Sequence, residues 1–129
     1  MNQATAIDTP AFAHVTAAIA TPFRGADLSV DLELLERHAH WLLGNGCDGL
    51  VLFGTTGEAA SLSLAERTAM LERLLTSGIE PRRVLVGTSA CAIAEVVELT
   101  RRCAELGCAG ALIMPPFFFK GVTVETQPA

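Results

Sequence analysis

Short runs of residues that are apolar throughout alternate along this chain with longer segments whose apolar residues recur at helical spacing. The short runs predict four strands and the longer segments predict three helices. Strands that are apolar on both faces are typical of parallel sheets covered by helices. The strands are predicted at residues 15–20, 50–53, 84–86 and 111–114, and the helices at residues 32–43, between a capping box at Ser63 and Gly78, and at residues 93–106.

One pattern occurs twice in the chain, as GCDG at residues 46–49 and GCAG at residues 107–110. Each copy joins the end of a predicted helix to an apolar strand, and a related unit lies between them. The predicted fold class is therefore α/β, built from repeated βα units. The repeats alone leave two architectures open, a doubly wound sheet and a (β/α)8 barrel. In both, ligands lie at the C-terminal ends of the strands.

The composition excludes several classes of protein. The chain has 129 residues, of which half are hydrophobic and 18% are charged, so a single ordered domain is expected. A net charge of −5 without a basic patch argues against nucleic acid. The longest apolar run is too short to span a bilayer, and no signal peptide is recognisable. The four cysteines lack metal-ligand spacing and are interpreted as buried reduced thiols. A cytoplasmic protein without metal or cofactor is predicted.

The domain is predicted to occupy residues 15–122, after a loose leader at residues 1–14. Residues 123–129 are atypical and are predicted to be a disordered tail. On the first helix, five residues fall on one face and are expected to pack in the core or at an interface. They are Leu34, Leu35, His38, Trp41 and Leu42.

The second strand runs directly into a GTTGE turn at residues 54–58. Its two glycines leave backbone N–H groups uncovered, and its two threonines add hydroxyl donors. It is neither a P-loop nor a dinucleotide-binding fingerprint. Thr21, Thr88 and Ser89 follow other strands, so a polar site is predicted at this edge. Glu58 would repel a phosphate, which favours a single carboxylate as the ligand. The alternative is a purely structural turn whose threonines cap the next helix.

Several motifs together resemble one family. They are TPF at residues 21–23, His38, GCDG at 46–49, GTTGE at 54–58, GT at 87–88 and PPFF at 115–118. They occur in the order seen in the dihydrodipicolinate synthase / N-acetylneuraminate lyase family of pyruvate-dependent aldolases. The resemblance covers residues 15 to 122. It implies the N-terminal half, about four βα units, of a (β/α)8 TIM barrel.

The resemblance also implies chemistry and site residues. In that family a barrel lysine forms a Schiff base with pyruvate, without an added cofactor. Thr56 and the adjoining N–H of Gly57 would bind the pyruvate carboxylate, and Thr55 would relay protons. Full-length relatives are typically tetramers, so self-association is expected here.

Two departures from the family pattern limit this expectation. A barrel needs about 250 residues, and the family's catalytic lysine and main tyrosine lie on later strands, beyond residue 129. Lys120 is the only lysine, and it is expected to be a solvated loop residue. The chain also has no tyrosine, whereas dihydrodipicolinate synthases usually carry one near Phe118. The chain is therefore predicted to be a truncated, frame-shifted or fragmentary aldolase, inactive alone.

The missing tyrosine favours a keto-acid aldolase, such as a 2-keto-3-deoxy-sugar-acid or N-acetylneuraminate lyase, over dihydrodipicolinate synthase itself. Two other functions remain open on the sequence. One is a small flavodoxin-like α/β binding domain, for which four strands would suffice. The other is a non-catalytic interaction module that docks on full-length barrels.

Overall fold

A four-stranded parallel sheet with three helices makes up most of the computed structural model, which describes residues 15–115, 117, 118, 120 and 121. The predicted leader and tail lie outside these residues. The strands are β1 (Thr16–Ala18), β2 (Phe23–Arg24), β3 (Ser29–Val30), β4 (Gly49–Leu52), β5 (Val84–Gly87) and β6 (Gly110–Leu112). The helices are α1 (Leu32–Gly44), α2 (Leu64–Thr76) and α3 (Ile93–Glu105).

The order of the strands distinguishes the two architectures. The sheet runs β1-β4-β5-β6 and every neighbouring pair is parallel. A doubly wound sheet reverses its strand order at a switch point, and the described strands show no reversal. Successive crossovers in one direction place all three helices in one layer, where α1 contacts α2 and α2 contacts α3. The flavodoxin-like alternative therefore does not fit the described topology, whereas part of a (β/α) barrel does.

The core lies between this sheet and the helix layer. Alternate residues of β4 and β5 point to the helices, so Leu50, Leu52, Val84 and Val86 are fully buried there. Val51 and Leu85 point to the other face of the sheet and are only partly buried. The helices complete the core with Leu35, Ala39, Met70, Leu71, Leu74, Leu99 and Cys103.

Local sequence signals locate the starts of the first two helices. Asp31 precedes α1, and its side chain accepts a hydrogen bond from the N–H of Leu34 at 2.9 Å. The predicted capping box of α2 is confirmed, since Ser63 Oγ accepts from Glu66 N and Glu66 Oε2 accepts from Ser63 N. Both bonds satisfy N–H groups that the first helical turn leaves without partners.

The structure corrects the predicted strands in several places. A two-stranded antiparallel hairpin, β2–β3, lies where no strand was predicted, and the first and fourth predicted strands are shorter, at Thr16–Ala18 and Gly110–Leu112. The second predicted strand, residues 50–53, ends one residue early at Leu52, because Phe53 has a φ of +59° and so leaves the β region. The hairpin was missed because its two strands are only two residues long and carry no alternation.

Only part of the apolar face predicted for α1 lies in the core. Leu35 is buried and Leu42 packs against the core, but Leu34 is 40% exposed and Trp41 is 60% exposed. His38 stacks on Trp41 with ring centroids 6.3 Å apart. The apolar arc of α1 is wider than the surface that the described sheet and α2 can cover. Val97 of α3 is likewise 60% exposed.

None of the helices in the described part of the chain has both the length and the apolar character needed to cross a membrane.

Candidate functional site

A cavity of about 320 Å³ opens at the C-terminal ends of β4, β5 and β6. Gly54 and Thr55 of the GTTGE turn form one part of its wall, and Gly87 and Ser89 at the end of β5 form another. Because the strands are parallel, their carboxyl ends meet at one edge of the sheet, where barrels and doubly wound sheets bind ligands. The predicted position of the site is therefore where the structure has its cavity.

The GTTGE turn is fixed by hydrogen bonds to its own backbone and to β1. Glu58 N donates to Thr55 O at 3.1 Å. The hydroxyl of Thr21, which follows β1, donates to Gly57 O at 2.7 Å, and both residues are buried. A Cβ on Gly57 would lie 3.1 Å from the carbonyl oxygen of Ile19, so this glycine allows the close approach. The turn is thus a preformed element.

The three residues predicted to bind or act on a substrate lie together on this turn. Thr55 lines the cavity, while Thr56 is exposed beside it and is not part of the described cavity wall. Neither threonine hydroxyl has a hydrogen-bond partner among residues 15–115, 117, 118, 120 and 121. Over the same residues, the N–H of Gly57 also donates to no acceptor. Unused donors of this kind on a turn are the groups that an anion could engage.

Phe53, the residue before the turn, has a strained backbone that the sequence did not reveal. A positive φ is unusual for a bulky side chain and is typical of functional sites. Its carbonyl faces Gly87, where a Cβ would lie only 2.2 Å from the Phe53 oxygen. The glycine at the end of β5 was visible in the sequence, but the residue that it accommodates lies on another strand.

The prediction of a polar site is wrong for the cavity wall. The strand-end hydroxyls are buried and bonded within the protein: Thr100 Oγ1 donates to Thr88 Oγ1 at 2.9 Å, and Met114 N donates to Ser89 Oγ at 2.7 Å. Buried hydroxyls need such partners. The wall is mostly apolar, with side chains from Phe53, Leu112, Met114 and Phe117. Thr55 remains as the main hydroxyl that faces the cavity.

The described residues around this cavity offer no amine nucleophile. Lys120 is exposed and does not line the cavity. Burial raises the pKa of the Cys103 thiol and, together with Cys103, raises that of Cys108 to about 12, so neither is an activated thiolate. Cys91 is exposed, which corrects the expectation that the cysteines are all buried. Within the described residues, no three His, Cys, Asp or Glu side chains could hold a metal ion.

Comparison with known proteins decides the family. Residues 11–127 match the model of the dihydrodipicolinate synthetase family. The chain belongs to this family. Among curated relatives, 4-hydroxy-tetrahydrodipicolinate synthase of Prochlorococcus marinus (strain MIT 9211) is 38% identical over 120 residues, which are 93% of this chain and 39% of the relative. The chain therefore spans about two fifths of the length of the curated relatives it matches.

Solved structures of the dihydrodipicolinate synthetase family confirm the fold. Dihydrodipicolinate synthase from Agrobacterium tumefaciens has a TM-score of 0.81 and 36% identity, over 85% of this chain and 38% of that one. N-acetylneuraminate lyase of Proteus mirabilis has a TM-score of 0.76 and 33% identity, over 87% of this chain and 38% of that one. The prediction of a partial (β/α)8 barrel from a pyruvate-dependent aldolase family is confirmed.

A third structural relative was solved with a ligand. Dihydrodipicolinate synthase from Acinetobacter baumannii, complexed with pyruvate, has a TM-score of 0.75 and 32% identity, over 84% of this chain and 37% of that one.

Proposed function

We propose that this chain is the carboxylate-binding part of a Schiff-base-forming, pyruvate-dependent aldolase. The observation that carries the proposal is the GTTGE turn, whose two threonine hydroxyls and Gly57 N–H have no partner in the described part of the chain. Thr55 lines a cavity at the strand ends, and Thr56 and Gly57 follow it directly on the same turn. A relative that is 32% identical was solved with pyruvate, which has one carboxylate. The turn offers that carboxylate a preformed set of donors.

Each of the three residues has a proposed role. Thr56 Oγ1 and the N–H of Gly57 would each donate a hydrogen bond to one carboxylate oxygen. Thr55, which lines the cavity, would pass a proton between the reacting carbon skeleton and solvent. The apolar residues of the cavity wall suit the methyl end of pyruvate. Glu58 keeps the turn selective for a singly charged anion.

We infer that the 129 residues alone bind pyruvate without forming a covalent adduct. The single lysine, Lys120, is exposed and lies outside the cavity wall. A Schiff base needs an amine close to the ketone carbon, and Lys120, which lies outside the cavity wall, does not provide one. The chain would therefore supply carboxylate binding, and the nucleophile would belong to the remainder of a barrel.

Phe117 bears on the second substrate. It lines the cavity with a ring that carries no hydroxyl, and the chain contains no tyrosine. A phenyl ring cannot transfer a proton. We therefore propose a keto-acid aldolase in preference to dihydrodipicolinate synthase itself, and the physiological aldehyde stays unassigned. The predicted cytoplasmic location stays a prediction.

The proposed carboxylate site is tested by one substitution and one control. Thr56→Val keeps the side-chain shape but removes the hydroxyl, so we expect pyruvate to bind about tenfold more weakly, the loss of one hydrogen bond to a charged group. Thr76→Val makes the same change at an exposed position at the end of α2. The pyruvate affinity of this variant should equal that of the parent chain. Isothermal titration calorimetry measures both. Equal affinities of Thr56→Val and the parent would overturn the proposed role.

A further inference from the structure

Arg67 of α2 is a buried cation whose contacts join three separate segments. Only 6% of the surface of Arg67 is exposed to solvent. Nη1 donates to Ser89 O at 2.7 Å and Nη2 donates to Ala59 O at 2.9 Å. Nε donates to Leu62 O at 3.4 Å. One guanidinium therefore connects the segment after the GTTGE turn, the start of α2 and the loop after β5.

This arrangement is unusual because the charge has no close counter-ion. Arg67 forms no ion pair with any carboxylate in the described part of the chain. Burial lowers the pKa of its guanidinium, and the more distant Glu95 acts in the opposite direction. A buried charge is costly, and an apolar side chain of similar size would often be at least as stable here. The three carbonyl contacts therefore suggest a role in geometry.

The two residues whose carbonyls accept hydrogen bonds from Nη1 and Nη2 belong to the cavity wall. They are Ser89, in the loop after β5, and Ala59, in the segment after the GTTGE turn. Ser89 continues the connection, since its hydroxyl accepts from Met114 N at 2.7 Å and Met114 also lines the cavity. Arg67, Ser89 and Met114 thus link the ends of β4, β5 and β6. Without Arg67, the described contacts between residues 59–62 and the loop after β5 would lose their polar connection.

We propose that Arg67 is a positioning residue that holds the segment after the GTTGE turn at a fixed distance from the end of β5. It thereby sets the width of the cavity that receives the substrate. The link to pyruvate rests on the proposed function, but the link to the geometry of the turn does not. A planar guanidinium can reach three carbonyls at once, whereas the ammonium of a lysine is a point charge on a flexible stem.

Hydrogen exchange, followed by mass spectrometry on the parent chain and three variants, tests the geometric claim. Arg67→Met removes the donors and keeps most of the volume, and Arg67→Lys keeps the charge and the stem. Arg73→Met is the control, because Arg73 lies on the same helix and contacts Glu36 at the surface. We expect Arg67→Met to raise exchange about tenfold or more at residues 54–62 and 88–91. Arg67→Lys should restore part of the protection, and Arg73→Met should leave both segments unchanged.

Two results would overturn the proposal. One is unchanged exchange at both segments in a folded Arg67→Met chain. The other is an equal rise over the whole chain, α1 included, which would mean a general loss of stability. Should Arg67→Met fail to fold, the same two segments in Arg67→Lys decide the outcome by the same criterion.

Pyruvate affinity separates this inference from the proposed function. If the parent chain binds pyruvate, Arg67→Met should weaken binding about tenfold, and Arg73→Met should not. If the parent chain binds no pyruvate, the proposed function fails, while the exchange profile still decides the role of Arg67.

Discussion

Gly87 lies at the point where the end of β5 passes closest to β4. A Cβ there would lie 2.2 Å from the Phe53 oxygen and 2.7 Å from its carbonyl carbon. These are backbone atoms, and Phe53 already has a positive φ, so neither side can move easily. This contact links the strained residue before the GTTGE turn to the neighbouring strand.

Gly87→Ala should therefore destabilise the chain by about 3 kcal/mol, the upper range for inserting one methyl group into a packed site. Chemical denaturation followed by circular dichroism measures the free energy of unfolding. Gly44→Ala is the matched control, because a Cβ at Gly44 has nothing within 4 Å, and it should be neutral or slightly stabilising. Similar stabilities for the two variants would show that the Phe53 carbonyl can move aside.

Some of these residues could be predicted from the sequence and others could not. The glycines and threonines of the GTTGE turn were recognisable because their chemistry is local to five residues. The φ of Phe53 and the burial of Arg67 were not, because both depend on strands and loops distant in sequence. Thr21 and Ser89 were predicted to face a ligand, but burial made backbone groups their partners. The GTTGE turn was thus more predictable than the cavity wall around it.

At the scale of the element, α2 joins the site to the rest of the core. Its N-terminus is fixed by the capping box, and Arg67 lies one turn after Ser63. The pKa of Glu66 is lowered by hydrogen bonds from the backbone and side chain of Ser63. Because the folded-state pKa of Glu66 is below the ordinary value of 4.5, its hydrogen bonds with Ser63 stabilise the fold above pH 4.5. This stabilisation is lost as the pH falls through the folded-state pKa.

Ser63→Ala should lower Tm by about 4 °C near neutral pH, since it removes the cap. The difference from the parent should narrow as the pH falls below 4.5, because Glu66 then becomes protonated in the parent as well. Thermal melts at neutral and at acidic pH test this. Ser61→Ala changes an exposed neighbour and should leave Tm unchanged at both pH values. A difference in Tm between Ser63→Ala and the parent that stays constant with pH would exclude the contribution of Glu66.

The elements differ in how well local sequence specified them. The starts of α1 and α2 follow from the capping side chains Asp31 and Ser63, and the observed bounds lie close to the predicted ones. The hairpin β2–β3 was missed, because its strands are too short to show a period. Only part of the predicted face of α1 lies in the core, because periodicity gives the width of an apolar arc but not how much of it a neighbouring element covers. Trp41 therefore remained exposed.

At the scale of the whole molecule, the described sheet has two uncovered edges. β1 and β6 are its outer strands, and around β6 the side chains of Leu112, Ile113 and Met114 are 50–55% exposed. An uncovered strand edge with apolar side chains favours association. We therefore expect the chain to associate with itself or with other barrel segments.

Sedimentation velocity should accordingly show species larger than a monomer. Ile113→Lys places a charge next to β6 at a side chain that does not line the cavity, and it should shift the distribution towards the monomer. Ala69→Lys places the same charge at an exposed apolar residue of α2, the helix that lies between α1 and α3, and should shift the distribution less. A parent chain that is monomeric at all concentrations would contradict the expectation.

The central claim is that the GTTGE turn binds the carboxylate of pyruvate. It is tested most directly by titrating the ¹⁵N-labelled chain with pyruvate and, separately, with acetone, which has the ketone but no carboxylate. The amide signals of residues 54–58 should shift in a saturable way with pyruvate and remain in place with acetone. Amide signals at the turn that do not respond to pyruvate, or that respond equally to acetone, would contradict the claim.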